Sequence, residues 1–141
     1  MTTINRFILA FIMISTFLGL SAQTITNYTT SDGLVNDFVT CVAVDINDNV
    51  WFGTSDGVQM FDGNTWTLYN SSDFNGLSTS SIKVVTATSN GDIYIGTDYG
   101  ASRFDGNTWI TFNTNSQVKS IDEDPISGSI WIGTNQGVLY F

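Results

Sequence analysis

No histidine occurs among the 141 residues, so the commonest general base and the commonest transition-metal ligand are both missing. The single cysteine, Cys41, excludes a thiolate zinc site and an intrachain disulfide alike. It alternates with Val39 and Ala43, the pattern of a small core residue rather than a reactive thiol. Carboxylates remain, almost all of them Asp, with Glu123 the only Glu. Glycoside hydrolysis needs a facing carboxylate pair, but these acids sit singly in turn-forming surroundings, apart from the run Asp122 to Asp124. Asp45, Asn47 and Asn49 have the alternate spacing of a Ca²⁺ loop. Val50, however, stands where such a loop needs its turn glycine, and the corresponding stretches "TSNGD" and "DPISGS" lack the ligand set. The segment reads as a hairpin turn. Catalysis is not expected of this chain, and no metal or cofactor is implied. The residues suit recognition: Tyr99 and Phe74 could stack on a sugar ring, with Asp56, Asp98 and Gln136 as hydrogen-bonding partners.

Those five residues lie in short polar stretches between β-rich runs, and the runs repeat. "FDGNTWTLYN" from Phe61 returns as "FDGNTWITFN" from Phe104, 43 positions on. "VWFG", "IYIG" and "IWIG" align on Gly53, Gly96 and Gly133, in steps of 43 and 37 residues. Upstream, "DGL" at Asp32 is echoed by "NGL" at Asn75. A period near 40 residues marks a repeat architecture. Each unit reads as four short strands, which in the first are about Phe38–Val44, Val50–Thr54, Val58–Phe61 and Thr65–Tyr69. Asn, Asp, Ser and Gly clusters between them supply the turns, and Asp62-Gly63 and Asp105-Gly106 are two-residue hairpin signals.

The second strand of each unit decides the architecture. It carries large apolar groups on both faces, Trp51, Tyr94 and Trp131 on one and Phe52, Ile95 and Ile132 on the other. A sheet with one wet face would alternate apolar with polar; a sheet packed between two like sheets would not. The fold class is therefore all-β, a β-propeller with about three four-stranded blades, and a β-sandwich or another β-solenoid is the alternative. The glycine closing each second strand marks a close backbone approach. Trp66 and Trp109 hold a fixed place on the fourth strand, which suggests packing between blades.

"NDNVWFGTSDGVQMFDG", "NGDIYIGTDYGASRFDG" and "SGSIWIGTNQGVLYF" also follow D-x-x-G-x-(L/I)-W-(I/F)-G-T-x-x-G-(L/V)-x-x-(F/Y)-D-G, with Asn49 where Gly is favoured and Tyr94 for Trp. This pattern resembles the two-component regulator propeller repeat. Its blades occur in the periplasmic sensor regions of bacterial hybrid histidine kinases and in some secreted proteins. The resemblance extends over Gln23 to Phe141 and implies a propeller sensor module. It does not imply a ligand, because family members share blade-building residues and not a common site. In a propeller the loops between second and third strands emerge with the fourth-to-first connections around the central opening. They are Ser55–Asp56, Asp98–Tyr99, Asn135–Gln136 and the longer stretch Asn70 to Leu77.

Residues 1–22 have the anatomy of a secretory signal peptide: Arg6, an apolar run from Phe7 to Leu20, and small Ala22 at the cleavage point. The run is shorter than the roughly 20 residues that cross a bilayer. A secreted or periplasmic location is expected, with no membrane insertion of the mature chain. From Gln23 onward there are 13 acidic residues against three basic ones, a formal charge of −10, which disfavours nucleic acid and anionic lipid as partners.

Residues 23–141 then hold a fourth-type strand at 24–28, blades at 38–69 and 81–112, and a partial blade at 117–141. Propellers close with about four to eight blades, and three would leave apolar faces open. Two resolutions follow. A chain ending just before the expected Asp-Gly favours a truncated reading frame of a longer sensor. Alternatively, two copies form a six-blade ring, each N-terminal strand completing the partner's last blade. The function expected is an extracytoplasmic propeller module that binds a small ligand, such as a carbohydrate, or a partner protein. The alternative is a free-standing, oligomeric, lectin-like binding protein. Propellers also serve some lyases, but the His and metal-binding carboxylate sets for such chemistry are not in this sequence.

Overall fold

Among the described residues, strands that follow one another within a sheet pair antiparallel, as the short turns between apolar runs require. The structure is a computed structural model and describes residues 25–73 and 79–141. The leader read at 1–22 and Phe74 lie outside the described residues. The first sheet has the order β1 (Val39–Val44), β2 (Val50–Thr54), β3 (Val58–Phe61), β4 (Trp66–Tyr69). The second runs β5 (Val84–Ala87), β6 (Ile93–Gly96), β7 (Gly100–Phe104), β8 (Trp109–Asn113). The third contains β9 (Val118–Glu123), β10 (Ile130–Thr134) and β11 (Gly137–Tyr140). Among the described residues the only helical element is a 3-10 turn at Thr30–Asp32. The chain is nearly all β, and its sheets are the blades of a propeller-like array.

The sheets stack face to face, and their first strands lie beside one another. Between the first and second sheets lie Trp51 and Val58 from one side and Ile82, Val85, Ile95 and Trp109 from the other. Between the second and third lie Tyr94 and Ala101, then Val118, Ile121 and Ile132. Ile82, Ile95 and Ile132 are wholly buried, each worth about 1.5–3 kcal/mol in apolar area removed from water. Both faces of the middle sheet are thus interior, which is why "IYIG" is buried at all four positions of β6. The glycines that end the "G-T" signature set the spacing. Ile82 seats on Gly53 and Val118 on Gly96, where a Cβ would come within 2.8 Å and 2.4 Å of those side chains.

Three sequence expectations are corrected. Trp131 does not share the burial of Trp51 and Tyr94: it is 47% exposed, because it lies on the face of the third sheet that no further sheet covers in this chain. Ile25 to Tyr28, the described part of the strand expected at 24–28, carry no strand, since no neighbouring edge is in place to pair with them. The turns at Asp62 and Asp105 centre one residue later than the Asp-Gly signal. Asp62 N–H donates to the Thr65 carbonyl, Gly63 takes φ +95°, and the Asp62 carboxylate accepts the N–H groups of Asn64 and Thr65. Asp105 repeats this arrangement with Asn107 and Thr108. Cys41 packs against the first core cluster, and burial pushes its thiol pKa up.

Candidate functional site

Three like turns gather four of the five sequence-predicted site residues at one end of the strands. Each turn opens on a threonine, the last residue of β2 and β10 and the first residue after β6. The hydroxyls of Thr54, Thr97 and Thr134 donate to the carbonyls of Gly57, Gly100 and Gly137 at 2.9, 3.1 and 2.9 Å. The same hydroxyls accept the N–H groups of Asp56, Tyr99 and Gln136 at 3.1, 3.1 and 3.0 Å. Gly57, Gly100 and Gly137 take φ of +140°, +156° and +129°. At Gly57 and Gly100 a Cβ would also meet a carbonyl oxygen of the adjoining fourth strand. "T-x-x-G" is therefore a pinned turn, and Asp56, Tyr99 and Gln136 occupy one position of it in three successive blades.

The connections into each first strand reach the same end. Asn36 Nδ2 donates to Ser55 Oγ at 3.0 Å and to an Asp56 carboxylate oxygen at 2.8 Å. Asp98 takes an ion pair from Lys83 at 3.3 Å and a hydrogen bond from Gln117 Nε2. Gln117 N–H donates to Asn135 Oδ1 at 3.0 Å. Asp56 and Asp98 are thus already engaged in tying a connection to a turn, whereas the Tyr99 ring is 55% exposed. Gln136 lines a cleft of about 300 Å³ with Asn113, Thr114, Ser116 and Val138. No hydrogen bond links Asp56, Tyr99 and Gln136 to one another among the described residues. The end they share is polar and carries the carboxylates of Asp56 and Asp98 beside the Tyr99 ring.

Two further clefts went unpredicted. The larger, about 530 Å³, runs along the outer side between β4 and the β7–β8 turn and is lined by Tyr69, Asp73, Asn107 and Trp109. The other, about 270 Å³, lies by the first turns of the first two sheets and includes Asp45, Trp51 and Gly91. Both are bordered by Tyr69 and Phe104, whose rings meet at 5.3 Å. The sequence signal for them was the repeated aromatic at the end of the fourth strand, which composition alone assigns to packing.

Asp45 is held in its turn by four hydrogen bonds. It accepts the N–H groups of Asn47 and Asn49 at 2.8 and 3.0 Å, and Asn49 Nδ2 and Trp51 Nε1 at 2.9 Å each. Partial burial pushes its pKa up, but the donors from Trp51, Asn49 and the turn backbone outweigh this and hold it below the ordinary carboxylate value. The "DINDN" segment is a capped hairpin turn. On the far side of the second sheet, Arg103 Nε pairs with Asp92 at 2.8 Å.

The two-component regulator propeller model matches residues 33–56, which run from Gly33 of "DGL" through the first two strands to Asp56 in the pinned turn of the first blade. The fold is similar to the extracellular domain of a protein assigned as a hybrid two-component system of B. thetaiotaomicron. That likeness has 25% identity and a TM-score of 0.72, over 86% of this chain and 18% of the other. A second such extracellular domain from the same organism matches at 24% identity and a TM-score of 0.60, over 77% of this chain and 16% of that one. Virginiamycin B lyase from Staphylococcus aureus is similar in fold, with 18% identity and a TM-score of 0.53 over 73% of this chain and 40% of the lyase. This chain spans less than a fifth of the two extracellular domains it resembles. No curated protein matches it. Among the described residues no helix is long and apolar enough to cross a membrane.

Proposed function

We propose that this chain is an extracytoplasmic recognition module of the sensor-propeller type, which binds a small ligand or a partner protein and performs no chemistry of its own. The observation that carries the reading is the likeness of three stacked blades to the extracellular domain of a hybrid two-component system over 86% of this chain. Export after cleavage near Ala22 accords with that likeness. The surface assigned to binding is the end bearing the pinned turns, where Asp56, Tyr99 and Gln136 vary in chemistry on a repeated backbone. Variable side chains on a rigid frame are how propellers, like other scaffolds, host recognition. Tyr99 offers a ring face, and the engaged carboxylates Asp56 and Asp98 present their remaining lone pairs to hydroxyl groups. That combination fits a neutral carbohydrate better than an anion, given a formal charge of −10 from Gln23 onward, three basic residues against 13 acidic ones.

Titrating the purified chain with a panel of neutral and uronic acid oligosaccharides, read by calorimetry, tests this. A neutral member should bind, and Tyr99→Ala should weaken it by at least fivefold without changing the melting temperature. Binding that is indifferent to Tyr99→Ala, or that favours the uronic members, would reject the assigned surface.

A further inference from the structure

The two outer faces of this three-blade array carry exposed apolar residues, and the chain shows twice what the equivalent faces look like when filled. Ile82 sits over Gly53 with its N–H on the Thr54 carbonyl at 2.8 Å. Val118 sits over Gly96 with its N–H on the Thr97 carbonyl at 2.9 Å. At the third station Gly133 has only Ser120 beside it. The residue holding the Ile82 position in the first blade is Val39, 43 places earlier. The same correspondence pairs the remaining positions. Val58 and Val85 share the first buried cluster, and their counterparts Val138 and Val42 are 65% and 54% exposed. Trp51 packs on Phe104 across the first interface, whereas its counterpart Trp131 stacks on Tyr140 of its own sheet, at 5.1 Å, and is 47% exposed.

The N-terminal segment is placed for the same interface. Tyr69, at the end of β4, lies on Phe104 and Trp109 at 5.3 and 5.6 Å. Tyr28 lies on the equivalent Phe61 and Trp66 at 5.6 and 5.8 Å. Residues Ile25 to Tyr28 therefore stand where the fourth strand of a preceding blade belongs, although the third sheet that lacks a fourth strand is at the other end of the chain.

We propose that a second copy of this chain completes the interface: the first sheet of each copy docks on the third sheet of the other, closing a six-blade ring of two chains. Val39 of the second copy seats on Gly133, its Val42 joins Val138, and its Ile25 to Tyr28 pair with β11 so that Tyr28 faces Val138 and Ile25 faces Phe141. Both faces are used once per chain, so the contact closes at two copies instead of growing. This inference goes beyond the recognition function and stands without it.

The test is light scattering on the purified chain from Gln23 onward, with two charge variants, Val138→Lys and Val42→Glu, at positions exposed in the single chain. The wild type should scatter at twice the chain mass. Each variant should keep the β-sheet circular dichroism spectrum yet run as a monomer. Mixed in equal amounts, the two variants should recover the dimer, because a mixed ring holds one native contact and one Lys–Glu contact. A monomeric wild type, oligomers that grow with concentration, or folded variants that stay monomeric when mixed would each overturn the proposal. A monomeric wild type would leave a further blade of a longer chain as the natural cover for these faces.

Discussion

Asp45 shows how a side chain with the spacing of a metal ligand is used up by its own turn. Its four donors satisfy both carboxylate oxygens, and one of them, Trp51 Nε1, ties the turn to the first inter-blade core. The turn cap was legible in "DINDN"; the bond to Trp51, six residues along, was not, because it depends on which way the indole lies within the packed interface. Asp45→Ala should cost about 1–2 kcal/mol in thermal or urea unfolding at neutral pH. The native pKa of this group is lowered, so its contribution is fully present above the ordinary Asp value of about 3.9 and is lost as pH falls through the native value. The stability gap between wild type and Asp45→Ala should accordingly narrow on acidification from pH 7 to about pH 2.5. A gap that is constant, or widens, would show that the ionised carboxylate is not what stabilises the turn. Exposed Asp62 is also lowered, chiefly by the Thr65 N–H and then by that of Asn64, and it belongs to the same acid-labile set.

At the level of the strands, the glycines are the positions where sequence and packing agree most closely. The pattern of bulky residues on both faces of the second strand called for a sheet buried on both sides, and β6 is that sheet. Gly96 is then the point at which Val118 of the next blade enters. Gly96→Ala puts a Cβ within 2.4 Å of Val118 Cγ1 and 2.8 Å of its Cβ, so a whole blade must move to admit one methyl group. A loss of about 1–3 kcal/mol is expected, read as a lowered denaturation midpoint. An unchanged midpoint would mean that the second and third sheets are not in contact there. The strand expected at 24–28 is not formed over Ile25 to Tyr28, whereas the bounds of the strands that do form were legible to within a few residues. Among these the largest discrepancy is at β5, which begins at Val84 where the run from Ser81 suggested an earlier start. Ile82 spends its N–H on the Thr54 carbonyl of the first blade, and Lys83 then bonds the Gly96 carbonyl at the end of β6, so the chain crosses between blades just before the ladder with β6 begins. Periodicity along one strand carries no trace of such a crossing.

For the whole molecule, the repeat phase was readable and the condition of its ends was not. Three like units predicted three like sheets, but Trp131, in the same sequence context as Trp51, is exposed because burial here is a property of the neighbouring blade. The proposed recognition surface is likewise half legible. The alignment of Asp56, Tyr99 and Gln136 follows from the period, whereas the engagement of Asp98 by Lys83 and Gln117 depends on where the connections between sheets return. The likeness in fold to extracellular domains of hybrid two-component systems and the open outer faces both follow from one arrangement, sheets stacked through a repeated glycine seat. A crystal structure of the chain from Gln23 onward is the most direct measurement of that arrangement. It should show Ile82 on Gly53 and Val118 on Gly96, with the two N–H groups bonded to the carbonyls of Thr54 and Thr97. Sheets joined edge to edge, or either seat left empty, would contradict it.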